Sequence, residues 1–198
     1  MRSLSVAVLF AATLGAQQVD YGALWQAATP FDQFLSSVKV REQQWKSRFA
    51  NAAVDAETLT RTRALPEKRR ILVVGEDRCS DSAWAVPYLA KLAAAVPERL
   101  ELRMINREKG SAIQSANPTA DGKLVTPTVV ILDESDRVMG VWLERPAELK
   151  AWVASNKASM SSDELHDKID KWQMQDGGKS TLKEILPILE KRASSGGQ

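Results

Sequence analysis

The sequence predicts an α/β fold in which one mixed sheet carries helical extensions at both ends. Three observations predict it. ILVVG (71–75) and LELRMI (100–105) are strand patterns around a helical stretch from about Ser80 to Val96, and strand, helix, strand at that spacing is a βαβ unit with a right-handed crossover. PTVVILD (127–133) and RVMGVWL (137–143) flank the short turn Glu134-Ser135-Asp136, which is hairpin spacing. Apolar residues recur at helical spacing before residue 65 and again in the tail. With 198 residues and 44% hydrophobic content, the chain suits one domain with a real core rather than two.

In chain order, residues 1–16 (MRSLSVAVLFAATLGA) join Arg2 to an uncharged apolar stretch from Leu4 to Ala16. That stretch is shorter than the roughly 20 residues a bilayer span needs. Its charged start and small-residue end are those of a secretory signal cleaved near Ala16 and Gln17, although Leu14 stands where a small residue is preferred. The expectation is an exported protein, periplasmic or secreted, with no stable membrane span after cleavage.

Residues 17–67 read as a helical cover. Thr29-Pro30 is expected to open a helix carrying Phe31, Phe34, Leu35 and Val38, with Trp45 and Phe49 repeating the pattern and Asp55 capping a further turn or two. The run Glu67-Lys68-Arg69-Arg70 reads as a solvated strand entrance. The central unit spans 68–155 and includes one helical turn near Ile113 and a helix opened by Pro146. In the extension at 156–198, Ser161 and Glu164 have capping-box spacing, Asp176-Gly177-Gly178 ends that helix, Thr181 with Glu184 caps the next, Pro187 kinks it, and the final SSGGQ reads as disordered.

Composition and motifs exclude several functions. A formal net charge of +2 gives no field favouring nucleic acid. GKST (178–181) lacks the glycine a phosphate loop needs five residues earlier, where Gln173 stands, and it follows a helix rather than a strand. His166, the only histidine, lies among Asp163, Asp167 and Asp170 on a charged helix face without a second soft ligand. No metal or other cofactor is expected.

Cys79 is the only cysteine. In an oxidising compartment structural disulfides come in pairs, so a lone thiol implies intermolecular pairing or a free reactive group; the plain alternative is a small buried hydrophobe. Its place at a strand-to-helix junction aims first-turn N–H groups at the sulfur and favours the thiolate. Arg78 adds to that effect and Asp81 opposes it.

The order of strand, Cys79-Ser80-Asp81-Ser82, a helix containing Pro87, a second strand, and Thr126-Pro127-Thr128 opening a hairpin resembles the thioredoxin superfamily over about residues 68–155. More narrowly it is similar to bacterial thioredoxin family proteins with a helical N-terminal segment. The resemblance implies a thioredoxin-like mixed four-stranded sheet and a cis-proline at Pro127 packed against the cysteine. It also implies a substrate groove at Arg78, Thr126 and Pro127, with protein or low-molecular-weight thiols and disulfides as partners.

The departures shape the expected chemistry. Ser82 stands where a second cysteine would, Arg78 where a tryptophan usually precedes the first, and Ile71 to Val74 offer no buried carboxylate. The expected catalytic pair is therefore Cys79 as a monothiol nucleophile and Ser82 as hydroxyl donor to its thiolate. An external thiol must resolve the adduct, and proton transfer must use solvent. The competing readings are a non-catalytic module binding a peptide or partner beside Pro127, and a structural domain whose extensions cover that groove.

Overall fold

The computed structural model describes residues 18–192; the expected signal segment and the final SSGGQ lie outside them. Four helices come first: α1 (Tyr21–Ala27), α2 (Phe31–Ser37), α3 (Glu42–Asn51) and α4 (Ala56–Arg63), with the two-residue strand β1 (Thr29–Pro30) between α1 and α2. The central unit follows as β2 (Arg69–Val74), α5 (Ser80–Ala95), β3 (Leu100–Ile105), α6 (Ser111–Ala116), β4 (Thr128–Leu132), β5 (Val138–Leu143) and α7 (Ala147–Asn156). The chain closes with α8 (Ser162–Asp176) and α9 (Lys179–Leu189). Among the described residues no helix is long and apolar enough to cross a membrane.

All four expected strands form, and β1 adds a fifth in the order β1-β3-β2-β4-β5. β2 and β3 run parallel around α5, as the βαβ pattern requires, whereas β2–β4, β4–β5 and β1–β3 are antiparallel. Thr29-Pro30 is thus extended backbone paired with Met104 and Arg103 rather than the first turn of a helix. Pro30 lacks an N–H, so it suits an edge strand, and α2 begins one residue later.

Alternation along the strands divides the core in two. Ile71, Val73, Leu102, Met104, Val129 and Ile131 join α5, the aromatics Phe31 and Trp45, and Leu182, Ile185 and Leu189 of α9. On the other face Leu72, Val74, Ile105, Val130 and Leu132 meet Trp25 of α1 and Ile113 of α6. Sheet, α3 and α9 surround α5, which explains why Ala83 to Ala90 are buried on every side.

The C-terminal extension completes the core. Asp55 caps α4, and Ser161 and Glu164 form the expected capping box of α8. Gly177 and Gly178 have φ of 58° and 78°, and a Cβ on Gly178 would lie 2.1 Å from the Tyr88 ring, so glycine permits both the turn and its approach to α5. Helix α9 then starts at Lys179, with Ser180 N–H bonded to the Asp176 carboxylate, and continues through Pro187 to Leu189. The expected Thr181–Glu184 cap does not form. Thr181 is buried inside the helix, and Glu184 instead accepts from the Trp142 indole and the Ala147 N–H.

Arg69 corrects the reading of the basic run as a solvated face. It is 0% exposed; its guanidinium donates to the carbonyls of Leu189 and Lys191 and to the Glu67 carboxylate at 3.1, 2.8 and 2.6 Å. It thereby satisfies the carbonyls at the end of α9. Removing one partner of a buried charged network costs about 3–5 kcal/mol. Arg69→Ala is therefore expected to lower the unfolding free energy by about 3 kcal/mol in urea titration; a loss below about 1 kcal/mol, the worth of an exposed pair, would show that α9 docks without this tether.

Candidate functional site

Cys79 is the N-cap of α5, with extended φ/ψ of −75° and 119°, and its sulfur takes the capping role normally filled by oxygen. The Ser82 N–H points at Sγ from 3.4 Å, and the Thr126 hydroxyl donates to it at 3.2 Å. In the protonated form Sγ faces the Thr126 carbonyl at 3.4 Å. Cys79 is a residue of intermediate burial and is not among the buried core residues. Two donors thus converge on the sulfur.

Thr126 is joined by a cis peptide bond to Pro127. Pro127 is buried, and its carbonyl accepts the Glu144 N–H at 2.8 Å. Of the expected groove residues, Thr126 meets the cysteine and Pro127 is its cis-bonded neighbour, while Arg78 has its side chain 76% exposed.

Ser82 does not donate to the sulfur. Its residue is 0% exposed and its Oγ has no hydrogen-bond partner. The hydroxyl turns toward the sheet, where a Cβ on Gly75 would lie 3.2 Å from it and 3.0 Å from the Met104 methyl. Thr126 supplies the donor that spacing alone assigned to Ser82. Residues three apart share a helix face, but Cys79, as N-cap, aims its side chain back across the first turn.

Nearby charges are paired. Arg145 grips Asp81 with two bonds of 2.7 Å and touches Glu144 at 3.2 Å. Burial pushes the Arg145 pKa down, but Asp81, then Glu144 and Cys79, outweigh it and leave it raised. Burial pushes the Glu144 carboxyl above its ordinary range, Arg145 opposing. Arg78 pairs with Glu76 at 3.5 Å. Arg78 and Asp81, expected to act on the sulfur in opposite senses, thus each have an ion-pair partner of their own.

Both extensions hold this loop. The Asp77 carboxylate accepts the N–H groups of Lys39 and Val40 at 3.0 and 2.9 Å, the Asp77 carbonyl accepts the Trp45 indole at 2.9 Å, and the Arg78 carbonyl accepts Arg41. From the other end Asp170 of α8 accepts the Trp84 indole at 2.6 Å and, more weakly, Ser80. The Arg48 guanidinium stacks 3.3 Å from the Trp84 ring centre, its pKa lowered to about 10 by burial. His166 is exposed on α8, and among the described residues no cluster of three or more His, Cys, Asp or Glu could hold a metal.

A mixed sheet, a cysteine capping the helix after its central strand, and a cis-proline following the threonine that bonds its sulfur define a thioredoxin-like domain. A thioredoxin family model matches residues 28–161, and the chain belongs to that family. The match begins at β1 and ends just before α8. No curated protein matches. Two solved structures share the fold: a protein of unknown function from Pseudomonas aeruginosa, at TM-score 0.68 and 20% identity over 87% of this chain and 98% of that one, and an HIV epitope-scaffold, at TM-score 0.65 and 21% identity over 88% and 100%.

Two outcomes follow from the geometry. Ser82→Ala removes a buried, unpaired hydroxyl and is expected to stabilise the protein by about 1 kcal/mol, read as a higher urea midpoint; destabilisation would mean that the hydroxyl is bonded. Asp77, whose burial raises its pKa less than the N–H bonds from Val40, Lys39 and Arg78 lower it, stays below the usual carboxylate range. Its stabilising contribution is complete above the unfolded value of about 3.9 and is lost as pH falls through the lower folded value. Acid titration followed by Trp45 fluorescence is expected to show that loss in the parent and not in Asp77→Asn.

Proposed function

We propose that this thioredoxin-family protein is a monothiol thiol–disulfide exchange protein acting outside the cytoplasm. The observation that carries the reading is the Cys79 sulfur at the start of α5, in a residue of intermediate burial, with the Ser82 N–H and the hydroxyl of Thr126, the residue cis-bonded to Pro127, converging on it. The thiolate attacks one sulfur of a partner disulfide, Cys79 becomes half of a mixed disulfide, and the other partner sulfur leaves as a thiolate. Ser82 cannot complete a second exchange, so a thiol from solution attacks the mixed disulfide and releases Cys79. Export rests on the signal-like residues 1–16 and supplies the oxidised partners.

The reading is tested by alkylation and trapping. Cys79 is expected to react with iodoacetamide at neutral pH faster than a free cysteine peptide, and Thr126→Val is expected to slow it by about tenfold if one hydrogen bond to the thiolate is worth roughly 1.4 kcal/mol. Acid trapping across glutathione redox ratios is expected to show mixed disulfides that Cys79→Ser abolishes; free thiol at every ratio would leave a binding module.

A second expected outcome concerns Ser82→Cys. Cα atoms three apart on a helix lie roughly 5 Å from each other, within disulfide range, and the apolar niche around Ser82 suits a thiol. The variant is expected to form a disulfide between Cys79 and the introduced thiol, and to reduce a test disulfide catalytically with external reductant. A disulfide without turnover would point to a groove that partners do not enter.

A further inference from the structure

We infer that Lys39, Val40, Arg41 and Arg78 form a docking surface beside Cys79 for an acidic segment of a protein partner, one whose disulfide cysteine is flanked by Asp or Glu. The inference rests on the exchange reading above and adds to it the chemistry by which Cys79 selects among disulfides.

Backbone contacts bring the four residues to one place. The Lys39 and Val40 N–H groups both bond the Asp77 carboxylate, at 3.0 and 2.9 Å, and Arg41 Nε donates to the Arg78 carbonyl at 2.9 Å. That carbonyl belongs to the peptide group whose nitrogen is that of Cys79, so by ordinary peptide dimensions Arg41 Nε lies at most about 6 Å from the Cys79 Cα. Arg41 also holds a φ of 57° and a ψ of 26°. This left-handed region is one that a non-glycine residue enters at a cost, and such residues concentrate at functional positions.

The charges give the partner its class. Lys39, Val40 and Arg41 are exposed, Val40 at 48%, and so is the Arg78 side chain. Among the described residues neither Lys39 nor Arg41 makes an ion pair; the other bond of the Arg41 guanidinium goes to the neutral Gln44 at 3.2 Å. The nearby acids are engaged. Asp77 holds the two N–H groups, Glu42 is bonded to Lys46, and Glu76 faces Arg78 at 3.5 Å. Three bases therefore meet solvent around an exposed valine, against the two acids Glu76 and Asp77. The Thr126 side of the sulfur differs, because there Lys123 is bonded to Asp121 and Arg145 to Asp81. An acidic segment gains from the first side and a basic one is repelled by it. Complementary exposed charge acts mainly on encounter rate and on the choice of partner.

The test measures how fast Cys79 forms a mixed disulfide with two peptide disulfides that are alike except that Glu or Lys flanks the cysteine. The ratio of the two rates cancels any change in the thiol itself. At low salt the Glu peptide is expected to react about tenfold faster, the combined worth of one favourable and one unfavourable exposed pair. In about 1 M salt, where charges are screened beyond about 3 Å, the ratio is expected to fall toward one. Lys39→Glu together with Arg78→Glu is expected to invert it, since the bonds to Asp77 and Arg41 use backbone atoms of these residues and not their side chains. Arg41→Gly, which suits the left-handed backbone, is expected to lower the ratio about two- to fivefold. Independently, an acidic peptide without cysteine is expected to shift the amide resonances of Val40 and Arg78 in Cys79→Ser, and its basic counterpart to leave them in place. Equal rates at low salt with unshifted resonances would overturn the docking surface while leaving exchange at Cys79 intact, and so would a preference that persists in high salt, because charge would not carry it. Shifted resonances in a protein that forms no mixed disulfide would keep the docking surface and remove the exchange reading.

Discussion

The structure depends on holding the first turn of α5 in one place, and three aspartates do it from three directions. Asp77 fastens the preceding loop to the N-terminal segment. Asp81 takes the Arg145 fork from the end of β5. Asp170 reaches from α8 to the Trp84 indole and Ser80. Carboxylates suit this position because the helix start carries partial positive charge and unpaired N–H groups. Each also brings a different segment of chain to the same turn, so the two extensions and the sheet meet at the cysteine.

That arrangement decides which forces act on the sulfur. With Asp81 bound to Arg145, and Arg78 facing Glu76 in solvent, neighbouring formal charges come in pairs, and paired charges act weakly beyond their own contact. What remains at short range is the Ser82 N–H and the Thr126 hydroxyl. The same turn buries the Ser82 side chain against Gly75 and Met104, which separates the backbone of this residue, which serves the thiol, from its hydroxyl, which does not. In the proposed exchange, a site built this way has no second thiol to release an adduct.

The fold was legible because its signals are local. Apolar runs, alternation and cap spacing specify β2 to β5, α5, the α8 capping box and the Gly177 turn, since each depends on residues within one or two turns of one another. The resemblance carried by Cys79, Pro87 and Pro127 pointed to the candidate site. What sequence could not supply were partners far apart in the chain: Arg69 with the end of α9, Arg145 with Asp81, Asp77 with Val40, Asp170 with Trp84. Arg69 illustrates the difficulty, because a basic run normally marks solvent and only the distant carbonyls of Leu189 and Lys191 make burial tolerable. Ser82 fails for a subtler reason: spacing gives proximity along a helix face but not the side-chain direction of a capping residue.

The two C-terminal helices are held by different physics. Helix α9 inserts Leu182, Ile185, Leu186 and Leu189 into the core and is tied by Arg69, so it belongs to the same cooperative unit as the sheet. Helix α8 buries only Ile169 and Gln173 of its 15 residues and reaches α5 through the carboxylate of Asp170 and the amide of Gln173. Few buried apolar contacts and solvent-reachable polar tethers place a segment at the low end of local stability. The family match ends at residue 161, before both α8 and α9, so the two helices differ in packing and not in their relation to the matched unit. The polar contacts of α8 from Asp170 and Gln173 help to hold the first turn of α5, while α9 keeps the core closed beneath.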